Sequence, residues 1–181
     1  MSMVQHHVLD SIPIEEVQSR IGDLEPARNA GRRIFVIGNG GSAANGSHYT
    51  TDLGKNAFAA HGGGLPPFRV VSLTDNPPWI SAISNDLSFA EIFVMQLKNL
   101  ATQGDVLIGV SVIGSLPNLV RAFEWACDCG LATIALVGGK HGAIADLASH
   151  VIAVVDPHDG CVEDVQINIL EMLFCAFANN A

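Results

Sequence analysis

Five short runs of consecutive apolar and β-branched residues constrain this chain more than anything else in it. They are Arg33–Ile37, Arg69–Leu73, Val106–Val110, Thr133–Val137 and Val151–Val155. A strand with one face in water alternates apolar and polar residues, whereas a strand covered on both faces does not. The continuous runs therefore predict strands buried on both sides, as in a parallel sheet wrapped by helices. The segments between them are long enough for a helix each and carry helical periodicity, so the order reads as repeated strand–helix units. The expected fold class is α/β: a three-layer αβα sandwich on a five-stranded parallel sheet, preceded by an N-terminal helix.

A chain of 181 residues suits one such domain, with residues 1–31 as a helical extension and 32–181 as the αβα core. Asp10 or Ser11 can cap the first helix, Pro13 suits its first turn, and Glu15 and Glu16 suit the positive end of its dipole. Ile14, Val17, Ile21 and Leu24 form one apolar stripe on it. The last helix is expected from about Cys161 to Ala178 and is apolar on most sides, through Ile167, Ile169, Leu170, Met172, Leu173, Phe174 and Phe177. Only 15% of the residues are charged, against about 25% in ordinary globular domains. A small domain this poor in charge has to cover its apolar helices, so both terminal helices are expected at contacts with further copies of the chain. The segment from His61 to Pro67, rich in glycine and proline, is the one loose connection.

The charge balance excludes some functions. Nine basic residues against 18 acidic ones give a net charge of −9, the opposite of a nucleic-acid footprint, so no direct nucleic-acid partner is expected. A small anion remains compatible, because backbone N–H groups at a helix N-terminus bind one without Lys or Arg. No run approaches the roughly 18–20 apolar residues of a membrane span, and the first residues lack the basic start and apolar core of a secretory signal. Cys127, Cys129, Cys161 and Cys175 match neither a zinc framework nor a disulfide scaffold, which suits free thiols and a cytoplasmic location.

In a sheet of this kind ligands bind beyond the carboxyl ends of the strands. Three loops there carry polar residues. Gly38-Asn39-Gly40-Gly41-Ser42-Ala43-Ala44 follows the first strand and fits G-x-G-x-x-A. A dinucleotide site also wants an acidic residue about 20 positions on; the nearest acid past the second strand is Asp75, 37 positions from Gly38. No redox cofactor is expected, and the loop reads either as a tight packing turn or as an anion or sugar site flanked by Asn39 and Ser42. Ser111-Val112-Ile113-Gly114-Ser115-Leu116-Pro117-Asn118 leads into another helix, with Ser111 and Ser115 placed to meet a phosphate. After the second strand come Thr74 and Asp75, and then Asn85 and Asp86, two polar residues set between apolar stretches and expected to be buried. Capping of a segment starting at Ser88 is the alternative for that pair.

Together these segments resemble the sugar isomerase (SIS) domain family, and within it the phosphoheptose isomerases, over nearly the whole chain. The resemblance rests on Gly38–Ala44 followed by His48, on Asn85-Asp86, Phe89 and Ile92-Phe93, on Gly104–Gly109, and on Pro117-Asn118 with the closing helix. It implies a flavodoxin-like fold, a homotetramer with active sites between subunits, no organic cofactor, and a small phosphosugar or sugar-nucleotide-like ligand. It also implies proton transfer between adjacent sugar carbons by an acid/base pair, and zinc in many members. Asp52 stands where the family has a catalytic Glu, four residues after His48. On the last helix Glu163, Gln166 and Glu171 stand on the family's Q-x-x-H-x-x-x-x-H.

The catalytic pair implied is thus Asp52 and Glu171, and the metal set is His48, Asp52, Glu163 and Glu171. The substrate-binding set is Asn39, Gly40, Gly41, Ser42, Asp86, Ser111, Ser115 and Glu163. One imidazole and three carboxylates can hold zinc, manganese or iron. The family's S-T-S-G-N-S phosphate loop is here Ser111-Val112-Ile113-Gly114-Ser115-Leu116, which removes hydroxyls worth about 1.5–3 kcal/mol each toward a charged acceptor. Some relatives lack the catalytic pair and act as binding proteins, one of them associated with the bacterial replication initiator. A non-catalytic carbohydrate-derivative-binding or scaffold protein is accordingly the alternative to an isomerase.

Overall fold

All five runs are strands, their ends displaced from expectation by one residue or none. The computed structural model describes residues 12, 14–60, 62 and 64–178. The elements are α1 (Ile14–Asn29), β1 (Arg33–Ile37), α2 (Gly40–Thr51), a π-helical turn (Asp52–Asn56) running into α3 (Ala57–Ala60), and β2 (Arg69–Ser72). Then follow α4 (Pro77–Asp86), a 3₁₀ turn (Phe89–Glu91), α5 (Val94–Leu100), β3 (Val106–Ser111), α6 (Pro117–Asp128), β4 (Ala132–Gly138), α7 (Ala143–Leu147), β5 (His150–Val154) and α8 (Asp159–Ala178). The sheet is parallel throughout in the order β2-β1-β3-β4-β5, the flavodoxin-like arrangement.

The continuous runs are explained by two separate cores. In β1, Ile34 and Val36 face one core while Phe35 and Ile37 face the other. In β4, Ile134 and Leu136 face the first core, and Ala135 and Val137 the second. Residues of α1, α2 and α8 cover the first face; residues of α4, α5, α6 and α7 cover the second. Gly109 in β3 lets α6 come close, since a methyl there would lie 2.5 Å from Phe123 Cε2. Helices thus stand on both sides of the sheet, and the chain reverses direction across it between β1 and β3, which opens the cleft at their carboxyl ends.

Two expectations need correction. The α1 stripe is not simply an outward contact face: among its described side chains Val17 and Leu24 are buried within this chain and Ile14 is exposed. The side chain of Ile21, and the capping positions Asp10, Ser11 and Pro13, lie outside the described residues, as does His61. Glu15 and Glu16 do occupy the first turn. Second, Asn85 and Asp86 are exposed, not buried. They end α4, where Leu87 also turns out to solvent, so the apolar flanks did not mark an interior. Ser88 precedes the 3₁₀ turn without a side-chain cap bond.

Candidate active site

The floor of the cleft is the β1–α2 turn. An added methyl at Gly38 would lie 2.8 Å from the backbone of Ser42, so only glycine lets α2 start this close to the strand. Asn39 is extended, and its amide does not cap α2. It pairs head to head with the Asn118 amide at the start of α6, through bonds of 3.1 and 2.8 Å, tying the first loop to the second. Ser42 is buried under this turn.

Gly40 opens α2 with a left-handed backbone, and Gly41 lies beneath Glu163 of α8. A methyl at Gly41 would be 2.5 Å from a Glu163 carboxylate oxygen, and Asn45 Nδ2 donates 2.9 Å to the Glu163 carbonyl. A carboxylate over the first turn of a 12-residue helix is favoured by the helix dipole. The protein's own acid therefore stands where a ligand anion was expected.

The second loop is held by the two serines predicted to meet phosphate. Ser111 Oγ accepts from the Gly114 N–H at 3.0 Å, and Ser115 Oγ accepts from the Ala143 N–H, at the first residue of α7, at 3.1 Å. Each hydroxyl keeps its own proton to donate. Ile113 and Leu116 are exposed at the rim. Gln166 is fully buried; its Nε2 donates to the carbonyls of Ser111 and Leu136, joining α8 to the ends of β3 and β4. Asp86 accepts from Asn85 Nδ2 at 2.8 Å on the exposed end of α4.

A second polar group lies further along α2. Asp52 is largely buried where α2 widens into the π turn; its Oδ2 is 3.0 Å from His48 Nε2, and its Oδ1 accepts from Asn56 Nδ2 at 2.8 Å. Glu171 of α8 completes the cluster: one donor atom each from His48, Asp52 and Glu171 lies within 4.8 Å of the others. Among the described residues this group is three-membered. Glu163, expected as a fourth, sits over Gly41 instead, two helical turns of α8 away. Cys175, one turn beyond Glu171, places its Sγ 3.9 Å from Glu171 Oε1. Burial, then the Glu171 and Asp52 carboxylates, hold its thiol above the usual range.

Several participants carried no readable signal as site residues. Asn118, Asn56 and Cys175 are of this kind. So is the network in which Ser47 donates to Asp75, Thr74 donates to Asp75 at 3.1 Å, and Ser72 and Thr74 lie 2.6 Å apart. Only the position of Thr74-Asp75 just after β2 pointed there.

A doubly wound parallel sheet, a glycine turn at its crossover point and a polar cleft walled by α2, α6 and α8 define the class as an α/β ligand-binding domain. Residues 19–138 match the SIS domain, and the chain belongs to that family. It is 33% identical to the phosphoheptose isomerase of Crocosphaera subtropica, over 83% of this chain and 75% of that one. It is 37% identical to that of Nitratidesulfovibrio vulgaris Hildenborough, over 79% and 67%. The solved phosphoheptose isomerase of Francisella tularensis superposes with a TM-score of 0.87 at 22% identity, covering 97% of this chain and 91% of that one, which shows the shared fold.

Proposed function

We propose that this protein is a phosphosugar isomerase, interconverting a ketose and an aldose of the sedoheptulose 7-phosphate type by proton transfer. One observation carries the reading: His48, Asp52 and Glu171 converge within 4.8 Å, in a chain whose relatives bear the name phosphoheptose isomerase. One imidazole nitrogen and two carboxylates suit a divalent cation, zinc among them, and Asn56 already orients Asp52. Such a cation, when bound, supplies Lewis-acid polarisation of the sugar's carbonyl oxygen.

The chain's own carboxylates then handle the protons. In the ketose-to-aldose direction one carboxylate of the Asp52–Glu171 pair takes a proton from carbon 1 and returns it to carbon 2. The hydroxyl proton on the oxygen of carbon 1 passes to the oxygen of carbon 2, so atoms and electrons balance. Asn39, Gly40, Gly41, Ser42, Asp86, Ser111, Ser115 and Glu163 are assigned to the substrate. The Ser111 and Ser115 O–H groups are the donors left for its phosphate. The working unit is a cytoplasmic homotetramer of single SIS domains without an organic cofactor.

The test is interconversion of sedoheptulose 7-phosphate and its aldose, followed in heavy water by deuterium uptake at carbon 2. Asp52→Asn and Glu171→Gln should each lower kcat by about 10²–10⁴-fold. Full activity in either variant removes that residue from the mechanism. The apolar rim of Ile113 and Leu116 favours the second reading, a carbohydrate-derivative-binding protein. Ligand-induced thermal stabilisation without any turnover would select it.

A further inference from the structure

We propose that the β4–α7 loop completes the phosphate site, Lys140 supplying the positive charge and His141 an imidazole N–H to the ligand's phosphate monoester beside the Ser111 and Ser115 hydroxyls. The inference rests on the phosphosugar reading above and deepens it with two residues that no motif assigned.

The β4–α7 loop and the Ser111–Leu116 loop are stitched together. The Gly138 N–H donates to the Val112 carbonyl at 3.1 Å, the Ala143 N–H to Ser115 Oγ at 3.1 Å, and the Ile144 N–H to the Gly114 carbonyl at 2.9 Å. Lys140 and His141 stand between these ties, each within three residues of Gly138 and of Ala143, a chain length of about 11 Å at most. The His141 carbonyl packs so closely on Gly114 that any side chain there would collide with it.

His141 adopts a costly backbone. Its φ is 61°, and no other non-glycine residue among the described residues has a positive φ. The Gly142 N–H donates to the Lys140 carbonyl at 2.7 Å, closing around His141 a γ-turn of the rare, strained kind. Glycine would hold that turn without the cost. Both residues are exposed, and neither side chain has a hydrogen-bond or ion-pair partner among the described residues, so no contact within the chain offsets the strain. Strain kept without such compensation points to a ligand.

The charge balance of the cleft points the same way. A phosphate monoester carries close to two negative charges at neutral pH. Ser111 and Ser115 are neutral, Ile113 and Leu116 are apolar, and Glu163 covers the neighbouring glycine turn with an acid. Other cations are committed elsewhere. Arg121 pairs with Glu91, and Arg33 and Arg69 open β1 and β2 at the opposite edge of the sheet, where they donate to the Leu100 and Gly31 carbonyls. Lys140 follows the carboxyl end of β4, at the edge where the cleft lies.

Calorimetry on the full chain tests this, with sedoheptulose 7-phosphate and inorganic phosphate as probes. Lys140→Gln should weaken both by about tenfold, the worth of one charge-assisted bond, and Lys140→Arg should retain most of the affinity. His141→Gly should weaken both by about threefold at an equal or higher melting temperature, a combination that a merely structural role would not produce. Lys98→Gln removes the same charge from α5 and should change neither. Unchanged affinity for sedoheptulose 7-phosphate in Lys140→Gln would overturn the inference and leave the phosphosugar reading standing, as would an equal loss in Lys98→Gln. A His141→Gly variant that loses stability and keeps its affinity would overturn the part given to His141. Binding that depends on Lys140 without any turnover would uphold the inference and sink the isomerase. An unaltered protein that binds neither probe would overturn both.

Discussion

Tyr49 carries the chain's one phenol into the first core. It is 1% exposed, and its hydroxyl has no hydrogen-bond partner among the described residues. Burial pushes its ionisation above the usual value of 10.0. The neutral form is thus favoured in the folded state, so the associated stability is complete below pH about 10 and falls as pH rises further. Tyr49→Phe removes both the orphaned hydroxyl and the titration. Its stability in urea at neutral pH should match or exceed that of the unaltered protein by up to about 1 kcal/mol, and its loss of stability above pH 10 should be shallower. Because the chain has a single tyrosine, tyrosinate absorbance assigns the titration without ambiguity. Gly38 makes the opposite point. A methyl 2.8 Å from the Ser42 backbone meets atoms that cannot swing aside. Gly38→Ala should therefore cost about 1–3 kcal/mol, read as a lower urea midpoint at an unchanged slope.

Between elements, two amide contacts hold the cleft in shape. Gln166 ties α8 to β3 and β4 through a single nitrogen that donates to two carbonyls. Gln166→Leu keeps the volume, takes the donor away from both carbonyls and also removes a buried Oε1 that has no partner among the described residues, so a net loss of about 1 kcal/mol is expected in equilibrium unfolding. The Asn39–Asn118 pair joins the β1–α2 and β3–α6 loops. Alanine at each position and at both should give a coupling energy of about 1 kcal/mol in a double-mutant cycle; a value near zero would mean that the loops hold their places independently. The π turn belongs to this scale as well. It lets α2 pass from the His48–Asp52 face into α3 without breaking the helix, and Asn56 uses the turn to reach Asp52.

The molecule as a whole is short of charge and exposes Ile14, Val71, Leu87, Phe89 and Ile113. Such residues are expected to be covered by further copies of the chain. Light scattering at micromolar concentration should return the mass of four 19.1 kDa chains, about 76 kDa; a stable 19.1 kDa particle would dismiss the tetramer. The architecture could be read before any coordinates, because strands buried on both faces write themselves as unbroken apolar runs and helices as a 3.6-residue period. The glycine turn and the pairing of His48 with Asp52 were legible for the same reason, being local in sequence. Burial was less so: the same apolar flanks that suggested an interior for Asn85 and Asp86 surround the exposed end of a helix. Periodicity identified the apolar side of α1 without saying that its own chain would cover Val17 and Leu24. No local pattern could show that Asn39 meets Asn118, that Glu163 covers Gly41, or that Glu171 closes on Asp52. Those meetings depend on how near α2, α6 and α8 approach one another across the sheet, and side chains separated by 79 positions or more are brought together by packing alone.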